Sequence, residues 1–198
     1  MRHRREKNAL AEFLRQAYVS FILGITASCV FIHPASAVPF SIDGHFSLTR
    51  VDGREVTDAD YRGKWLIIYF GYTYCPDVCP TVLAQIGSAL EDLGPLAGKF
   101  QPIFITVDPV RDSAKVMAAY LKSFDPRIVG LRGDPFDLAD TAKRFHVYYR
   151  LRGLGNGQYT VDHSSFIYVM NPKGQFVEIL TGDLPGHGLT DALRKLVK

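Results

Sequence analysis

The chain contains little cysteine: three residues in 198, of which only Cys75 and Cys79 lie outside an apolar N-terminal stretch. Two cysteines cannot build a disulfide framework, so the stability must come from a hydrophobic core. The sequence also lacks internal repeats, low-complexity tracts and a recognisable linker. We therefore predict a single domain over residues 38–198, long enough for one well-buried core and short for two.

The predicted domain also lacks net charge. Five of the 23 Lys and Arg residues and two of the 20 Asp and Glu residues lie in residues 1–37, which leaves equal numbers of both signs in the remainder. The formal charge of +3 and the pI of about 8.7 thus belong to the N-terminus. A nucleic-acid partner would require a basic patch on the folded domain, and the composition gives no support for one.

Residues 1–37 have the layout of an export signal. Basic residues come first, an apolar stretch follows at residues 17–32, and Ala35-Ser36-Ala37 matches a small-x-small cleavage pattern. The stretch is intermediate in length between a signal core and a spanning helix, so an uncleaved membrane anchor is the alternative. We interpret Cys29 as a small hydrophobe within this stretch rather than a site of lipid attachment. Both alternatives place residues 38–198 on the far side of a membrane.

Strand and helix patterns alternate along residues 46–198. The apolar runs predict strands at residues 46–51, 54–57, 65–70, 103–107, 128–131, 165–170 and 175–180. One-sided apolar faces predict helices at residues 81–93, from 112 or 113 to 124, at 135–145, and around Leu189, Leu193 and Leu196. This order predicts an α/β fold of thioredoxin-like layout, with a mixed central sheet flanked by helices and an N-terminal β-hairpin.

Three residues with useful chemistry lie at strand ends. Cys75 follows the first core strand, residues 65–70, and Asp108 follows the next one. Ligands of open α/β sheets bind at the carboxyl ends of the parallel strands. His163 instead precedes the strand at residues 165–170, so it reaches the same edge only if that strand is antiparallel. The closing hairpin predicted here supplies such a strand.

Cys75 and Cys79 are separated by three residues at a strand-to-helix junction. Such a pair can form a disulfide, either structural or redox-active, or bind a soft metal. The spacing exceeds the C-x-x-C of thioredoxin-type enzymes by one residue, which still permits a disulfide and leaves room for an ion. We place Pro80 at the first helical position, so we expect the helix N-terminus to lower the pKa of Cys79.

Other soft donors are scarce. The histidines outside the N-terminal segment are His45, His146, His163 and His187. We interpret His146 as a structural residue at a helix end and His45 and His187 as solvated loop residues. Two cysteines and His163 give three ligands, whereas structural zinc takes four. Copper fits such a set better, because Cu(I) favours thiolates and Cu(II) accepts imidazole nitrogen, and an open edge would allow transfer of the ion.

Three sequence blocks resemble the Sco/SenC family of copper chaperones for cytochrome c oxidase assembly. They are FGYTYCPDVCPT at residues 70–81, ITVDPVRD at residues 105–112 and DHSSFIY at residues 162–168. The cysteine block is the most specific, and the likeness extends over roughly residues 40–198. Tyr74 departs from the pattern, since many relatives carry histidine there, and this excludes an additional histidine ligand from that position.

The resemblance implies a thioredoxin-like fold, with copper bound at the positions of Cys75, Cys79 and His163. It implies delivery of copper to the dinuclear copper centre of cytochrome c oxidase subunit II. It also implies a location on the periplasmic side of the bacterial inner membrane or in the mitochondrial intermembrane space, with the N-terminal segment in the membrane if uncleaved. A thiol reductant or another copper chaperone would be a further partner.

Three functions remain compatible with the sequence. The first is a copper metallochaperone, which is not an enzyme although Cys75 and Cys79 would form its redox-active pair. The second is a thiol–disulfide oxidoreductase that carries no copper, and the third is a peroxidase. The longer cysteine spacing and the presence of His163 favour the first, whereas the fold alone favours none.

Asp108 and Asp162 lie beside the predicted site in sequence, and two interpretations of them stay open. Either carboxylate could orient His163 or tune the thiols, as partners of metal-binding imidazoles often do. Alternatively, Asp108 is simply a strand-end residue before Pro109.

Overall fold

Strand β3 (Trp65–Gly71) lies in the interior of a seven-stranded sheet. The structure is a computed structural model that describes residues 42–182, 184 and 186–197. Residues 66–70 of this strand are at most 2% exposed. A strand covered on both faces is apolar along its whole length rather than alternating, which is why this segment was predictable from the sequence.

The remaining strands and the helices follow in the expected alternation. The strands are β1 (Ser47–Arg50), β2 (Glu55–Thr57), β4 (Phe100–Thr106), β5 (Val129–Arg132), β6 (Tyr149–Gly155), β7 (Gln158–His163), β8 (Phe166–Met170) and β9 (Phe176–Thr181). The α-helices are α1 (Val78–Leu93), α2 (Ala114–Leu121), α3 (Pro135–Arg144) and α4 (Gly188–Leu196). Short 3₁₀ segments occupy Asp58–Tyr61 and Gly94–Lys99.

The directions of the strands determine where the candidate site lies. The order in the sheet is β2-β1-β5-β4-β3-β8-β9, with β3, β4 and β5 parallel to one another and every other pair antiparallel. Strand β8 runs against β3, with Ile167 opposite Tyr69. The beginning of β8 therefore lies beside the end of β3, which brings His163 and Cys75 to one edge. The predicted mixed sheet and N-terminal hairpin are confirmed.

Local sequence signals explain several helix boundaries. Helix α2 begins after Ser113, whose hydroxyl accepts a hydrogen bond from the backbone N–H of Val116 at 3.3 Å. Helix α3 begins with a proline after Asp134, whose carboxylate accepts bonds from the N–H groups of Phe136 and Asp137 at 2.8 and 2.9 Å. These side chains satisfy N–H groups that have no partner within the helix.

Helix α1 begins earlier than predicted. Its first residue is Val78 rather than Thr81, with Asp77 in the capping position. Pro80 is consequently the third helical residue and not the first. A proline fits at this point too, because the N–H groups of a first helical turn have no intrahelical partner.

Strands β6 and β7 form a separate two-stranded sheet that was not predicted. Leu151 and Leu154 of β6 are 59% and 63% exposed. The hairpin buries little apolar surface, so its sequence does not show the alternation of apolar and polar residues that marks a half-buried strand. A turn signal does exist, since Asn156-Gly157 adopts positive φ at both residues, as the tightest hairpin turns require.

The predicted N-terminal signal or anchor, residues 1–37, lies outside the residues that the structure describes. Among the residues that are described, no helix has the length and apolar character needed to cross a bilayer.

Candidate metal centre

The loop between β3 and α1 positions the two cysteines. Cys75 lies in the loop, and Cys79 is the second residue of α1. Both side chains are buried, at 9% and 0% exposure, and both are free thiols. Gly71 at the end of β3 allows the close approach, since a Cβ atom there would lie 2.8 Å from Cys79 Sγ.

His163 comes to the same place from a distant part of the sequence. It is the last residue of β7, opposite Tyr149 in the β6–β7 hairpin. One ligand atom from each of Cys75, Cys79 and His163 lies within 4.8 Å of the other two, and Cys79 Sγ is 3.3 Å from His163 Nε2. Within the described residues, this is the one group of three or more His, Cys, Asp or Glu side chains close enough to share an ion.

The imidazole of His163 is oriented by the backbone. Its Nδ1 lies 3.0 Å from the carbonyl oxygen of Ser164. Because a carbonyl oxygen only accepts hydrogen bonds, Nδ1 must carry the proton and donate it there. The Nε2 atom of the neutral ring is then left with its lone pair facing the sulfurs, which is the form that binds a metal.

The two thiols are not equivalent, and the expectation for Cys79 is wrong. A hydrogen bond with the Cys79 thiol lowers the pKa of Cys75 against the opposing effect of burial. The same bond with Cys75, together with burial, raises the pKa of Cys79. The free N–H groups at a helix N-terminus point outward from that end of the helix. They therefore stabilise negative charge on atoms just outside it, such as the sulfur of Cys75 in the preceding loop. Accordingly, the Cys79 N–H points at Cys75 Sγ, 3.4 Å away.

Two tyrosines pack beside the candidate ligands, and the sequence argument missed both. The hydroxyl of Tyr69 donates a hydrogen bond to Cys79 Sγ at 3.6 Å. The ring of Tyr72 meets the His163 ring edge-on, with 5.6 Å between the centroids, and its hydroxyl lies 3.0 Å from Thr160 Oγ1 on β7. Tyr72 thus links the cysteine loop to the strand that carries His163.

Asp108 and Asp162 do not contact His163 in the way one interpretation required. The buried Asp108 is paired with Arg111 and accepts a hydrogen bond from the Tyr159 hydroxyl at 2.8 Å. Asp162 pairs with Arg152 of β6 at 3.4 Å. Asp108 therefore fastens β7 to the edge of the sheet, and its influence on the imidazole is indirect.

A buried carboxylate that the sequence did not single out for this role, Asp112, holds the start of the cysteine loop. It accepts hydrogen bonds from the Thr73 N–H at 3.1 Å, the Thr73 hydroxyl at 2.5 Å and the Thr106 hydroxyl at 2.6 Å. Burial raises the pKa of Asp112 in spite of these bonds. The residue joins β4 to the loop two positions before Cys75.

The other three histidines lie elsewhere. His45 contacts Asp58 at 3.0 Å, and His187 contacts Asp92 at 2.8 Å. His146 follows α3 with a left-handed backbone, at φ 53°. Their interpretation as structural or surface residues agrees with these positions.

Comparison with known proteins assigns the chain to a family. The sequence model of SCO1/SenC matches residues 34–198. The chain belongs to the SCO1/SenC family. A solved structure of Bradyrhizobium japonicum ScoI with copper bound is 41% identical, with a TM-score of 0.73, over 78% of this chain and 99% of that one. Arabidopsis thaliana ScoI with copper bound is 38% identical, with a TM-score of 0.75, over 79% and 98%.

Curated members of the family are longer than the matched region. The protein sco1 of Schizosaccharomyces pombe is 40% identical over 77% of this chain and 59% of its own length. The mitochondrial SCO1 homolog 1 of Arabidopsis thaliana is 38% identical over 82% of this chain and 49% of its own length. The chain thus spans roughly half the length of these relatives.

We predict that Gly71→Ala disturbs the cysteine pair. The added methyl group would lie 2.8 Å from Cys79 Sγ and 2.9 Å from Phe104, so we expect a loss of about 1–3 kcal/mol in the free energy of unfolding. Urea unfolding of the reduced protein measures this free energy. Gly98→Ala is the control, because its Cβ would meet nothing within 4 Å. Equal stability of the two variants would contradict the close approach.

We also predict that Asp112→Ala destabilises the fold by about 1–3 kcal/mol, because it leaves the Thr73 N–H and the hydroxyls of Thr73 and Thr106 without their acceptor. The comparison is with Asp140→Ala, which removes an exposed carboxylate paired with Arg144 and should cost less than about 0.5 kcal/mol. Denaturant unfolding measures the free energy of unfolding of both variants. A loss in the Asp112 variant no greater than in the control would be the contrary result.

Proposed function

We propose that this protein is a copper metallochaperone that binds one copper ion through Cys75 Sγ, Cys79 Sγ and His163 Nε2. The observation that carries the proposal is the convergence of these three atoms within 4.8 Å of one another, from segments far apart in the sequence. The two ScoI relatives solved with copper bound support the choice of metal.

The donor set favours copper on chemical grounds. Two sulfurs suit the soft Cu(I) ion, and the imidazole nitrogen suits Cu(II) as well. Structural zinc sites are closed by four protein ligands, and this group offers three. A site with three protein ligands leaves a position for an incoming ligand of the acceptor, which allows the ion to be handed over.

We further propose delivery to the dinuclear copper centre of cytochrome c oxidase subunit II, with a thiol reductant or a second copper chaperone upstream. The location would be the periplasmic side of the bacterial inner membrane or the mitochondrial intermembrane space. The export-type layout of residues 1–37 supports it. Relatives whose names place them in the mitochondrion support it as well.

A second candidate function is reduction of disulfides in a partner. The lowered pKa of Cys75 favours the thiolate that attacks a disulfide, and Cys79 is close enough to resolve the mixed disulfide. The partner disulfide would become a dithiol while Cys75 and Cys79 become a disulfide, and a thiol reductant would restore them. A chaperone needs the same reduced pair, so this chemistry belongs to both candidates.

We expect His163→Ala to weaken Cu(II) binding by about 100-fold or more, because it removes a direct ligand. The thiol–disulfide equilibrium should shift by no more than about tenfold, the effect of losing the single contact between the imidazole and Cys79 Sγ. Competition titration with a chelator measures the affinity, and titration with a dithiol buffer measures the equilibrium. His187→Ala, which removes an exposed imidazole bonded to Asp92, should leave both values unchanged. Wild-type copper affinity in the His163 variant would refute the three-ligand site.

The two candidate functions are separated by anaerobic loading of the reduced protein with Cu(I), followed by mixing with an apo fragment of oxidase subunit II. The chaperone proposal predicts stoichiometric loading and transfer of the ion to the fragment. Rapid reduction of a disulfide substrate by a protein that retains no copper would favour the oxidoreductase instead.

A further inference from the structure

The hydroxyl of Tyr69 is buried directly beside a candidate ligand sulfur. The residue has 0% exposure, and its Oη lies 3.6 Å from Cys79 Sγ, to which it donates a hydrogen bond. The sequence motifs of the site do not include it, because it belongs to the preceding strand. Its neighbour along the same face of β3 is Gly71, the residue that makes room for the sulfur.

The ring of Tyr69 is held firmly in this position. Its backbone is paired on one side with Phe104 of β4 and on the other with Ile167 of β8. The ring stacks on Phe104 and meets His163 edge-on, with centroid distances of 6.3 Å in both cases. A fully buried ring that packs against two other rings cannot turn its hydroxyl elsewhere, so the bond to the sulfur is a fixed feature of the site.

We propose that Tyr69 is a positioning residue whose hydroxyl tunes the Cys79 sulfur, both as a copper ligand and as a member of the redox pair. The ligand part rests on the proposed function, whereas the redox part does not. A hydrogen bond withdraws electron density from a sulfur and weakens its donation to a metal. A reduced sulfur is also a better acceptor than a disulfide sulfur, so the bond favours the dithiol form.

The first test uses the metal-free protein in a dithiothreitol buffer. In this equilibrium, two thiols and cyclic oxidised dithiothreitol give the Cys75–Cys79 disulfide and reduced dithiothreitol, with both electrons and both protons passing to the reagent. We expect Tyr69→Phe to shift the equilibrium about three- to tenfold toward the disulfide, since it removes one hydrogen bond from the reduced state.

Tyr120→Phe is the matched control. The Tyr120 hydroxyl is buried and has no hydrogen-bond partner among the described residues, while its ring packs 6.1 Å from that of Phe104. The control therefore removes a nearby hydroxyl but no bond to sulfur, and its equilibrium should stay within about twofold of wild type. A Tyr69→Phe equilibrium within twofold of wild type, or an equal shift in the control, would overturn the proposal.

The second test uses the Cu(II)-loaded protein. Stronger donation from Cys79 in Tyr69→Phe should move the sulfur-to-copper charge-transfer absorption to longer wavelength, and Tyr120→Phe should leave it in place. An unmoved band in Tyr69→Phe would overturn the ligand part. Failure of the copper proposal itself would appear as absence of this band in the wild type, while the metal-free equilibrium would still decide the redox part.

A third variant tests the proposal if Tyr69→Phe does not fold. Should Tyr69→Phe fail to fold, as judged by its circular dichroism, site-specific replacement of Tyr69 by 3,5-difluorotyrosine keeps the ring and makes the hydroxyl a stronger donor. We then expect the metal-free equilibrium to shift toward the dithiol, the direction opposite to that for Tyr69→Phe. A shift toward the disulfide would overturn the proposal.

Discussion

The pairing of β3 with a parallel strand on one side and an antiparallel strand on the other is the constraint on which the site depends. The parallel partner, β4, ends at the same edge as β3 and leads to Asp108 and Asp112. The antiparallel partner, β8, begins at that edge and is preceded by His163. If both neighbours ran parallel to β3, the segment before β8 would lie at the opposite end of the sheet, away from the cysteines.

Side chains without any metal-binding role hold the converging segments together. Asp112 fastens the start of the cysteine loop to β4, while Arg111 and Asp108 contact Tyr159 on β7. These bonds act at different points: Asp112 holds the loop that carries the sulfurs, whereas Asp108 and Arg111 hold the strand that carries the imidazole. The carbonyl oxygen of Ser164 then fixes the orientation of the ring.

Much of the fold could be predicted from the sequence, for reasons visible in particular elements. The continuous apolar run of β3 and the Asp134-Pro135 start of α3 are strong local signals. The β6–β7 hairpin was missed because Leu151 and Leu154 remain exposed, so no alternation marks their strand. The start of α1 was placed too late because a proline fits anywhere in a first helical turn. The direction for the pKa of Cys79 was wrong because its hydrogen bond with Cys75 and its burial arise only in the folded chain.

The three residues that converge at the candidate site could be named in advance because cysteine and histidine are scarce in this chain. The residues that support them could not, because Tyr69 looks like an ordinary strand residue and Asp112 like a capping residue of the next helix. Their roles arise only when β3, β4 and the cysteine loop lie side by side. Only spatial neighbourhood distinguishes the Tyr69 hydroxyl, bonded to a sulfur, from that of Tyr120, which has no partner among the described residues.

Cys79 and His163 are 84 positions apart in the sequence and touch only in the folded chain. An ion shared by them would close a very long loop, so the unfolded chain could not reproduce its coordination without a large loss of conformational entropy. By thermodynamic linkage, such an ion binds the native state preferentially and protects it from unfolding. Loss of such an ion would therefore leave a less stable protein, and the metal-free form would be the one most exposed to proteolysis.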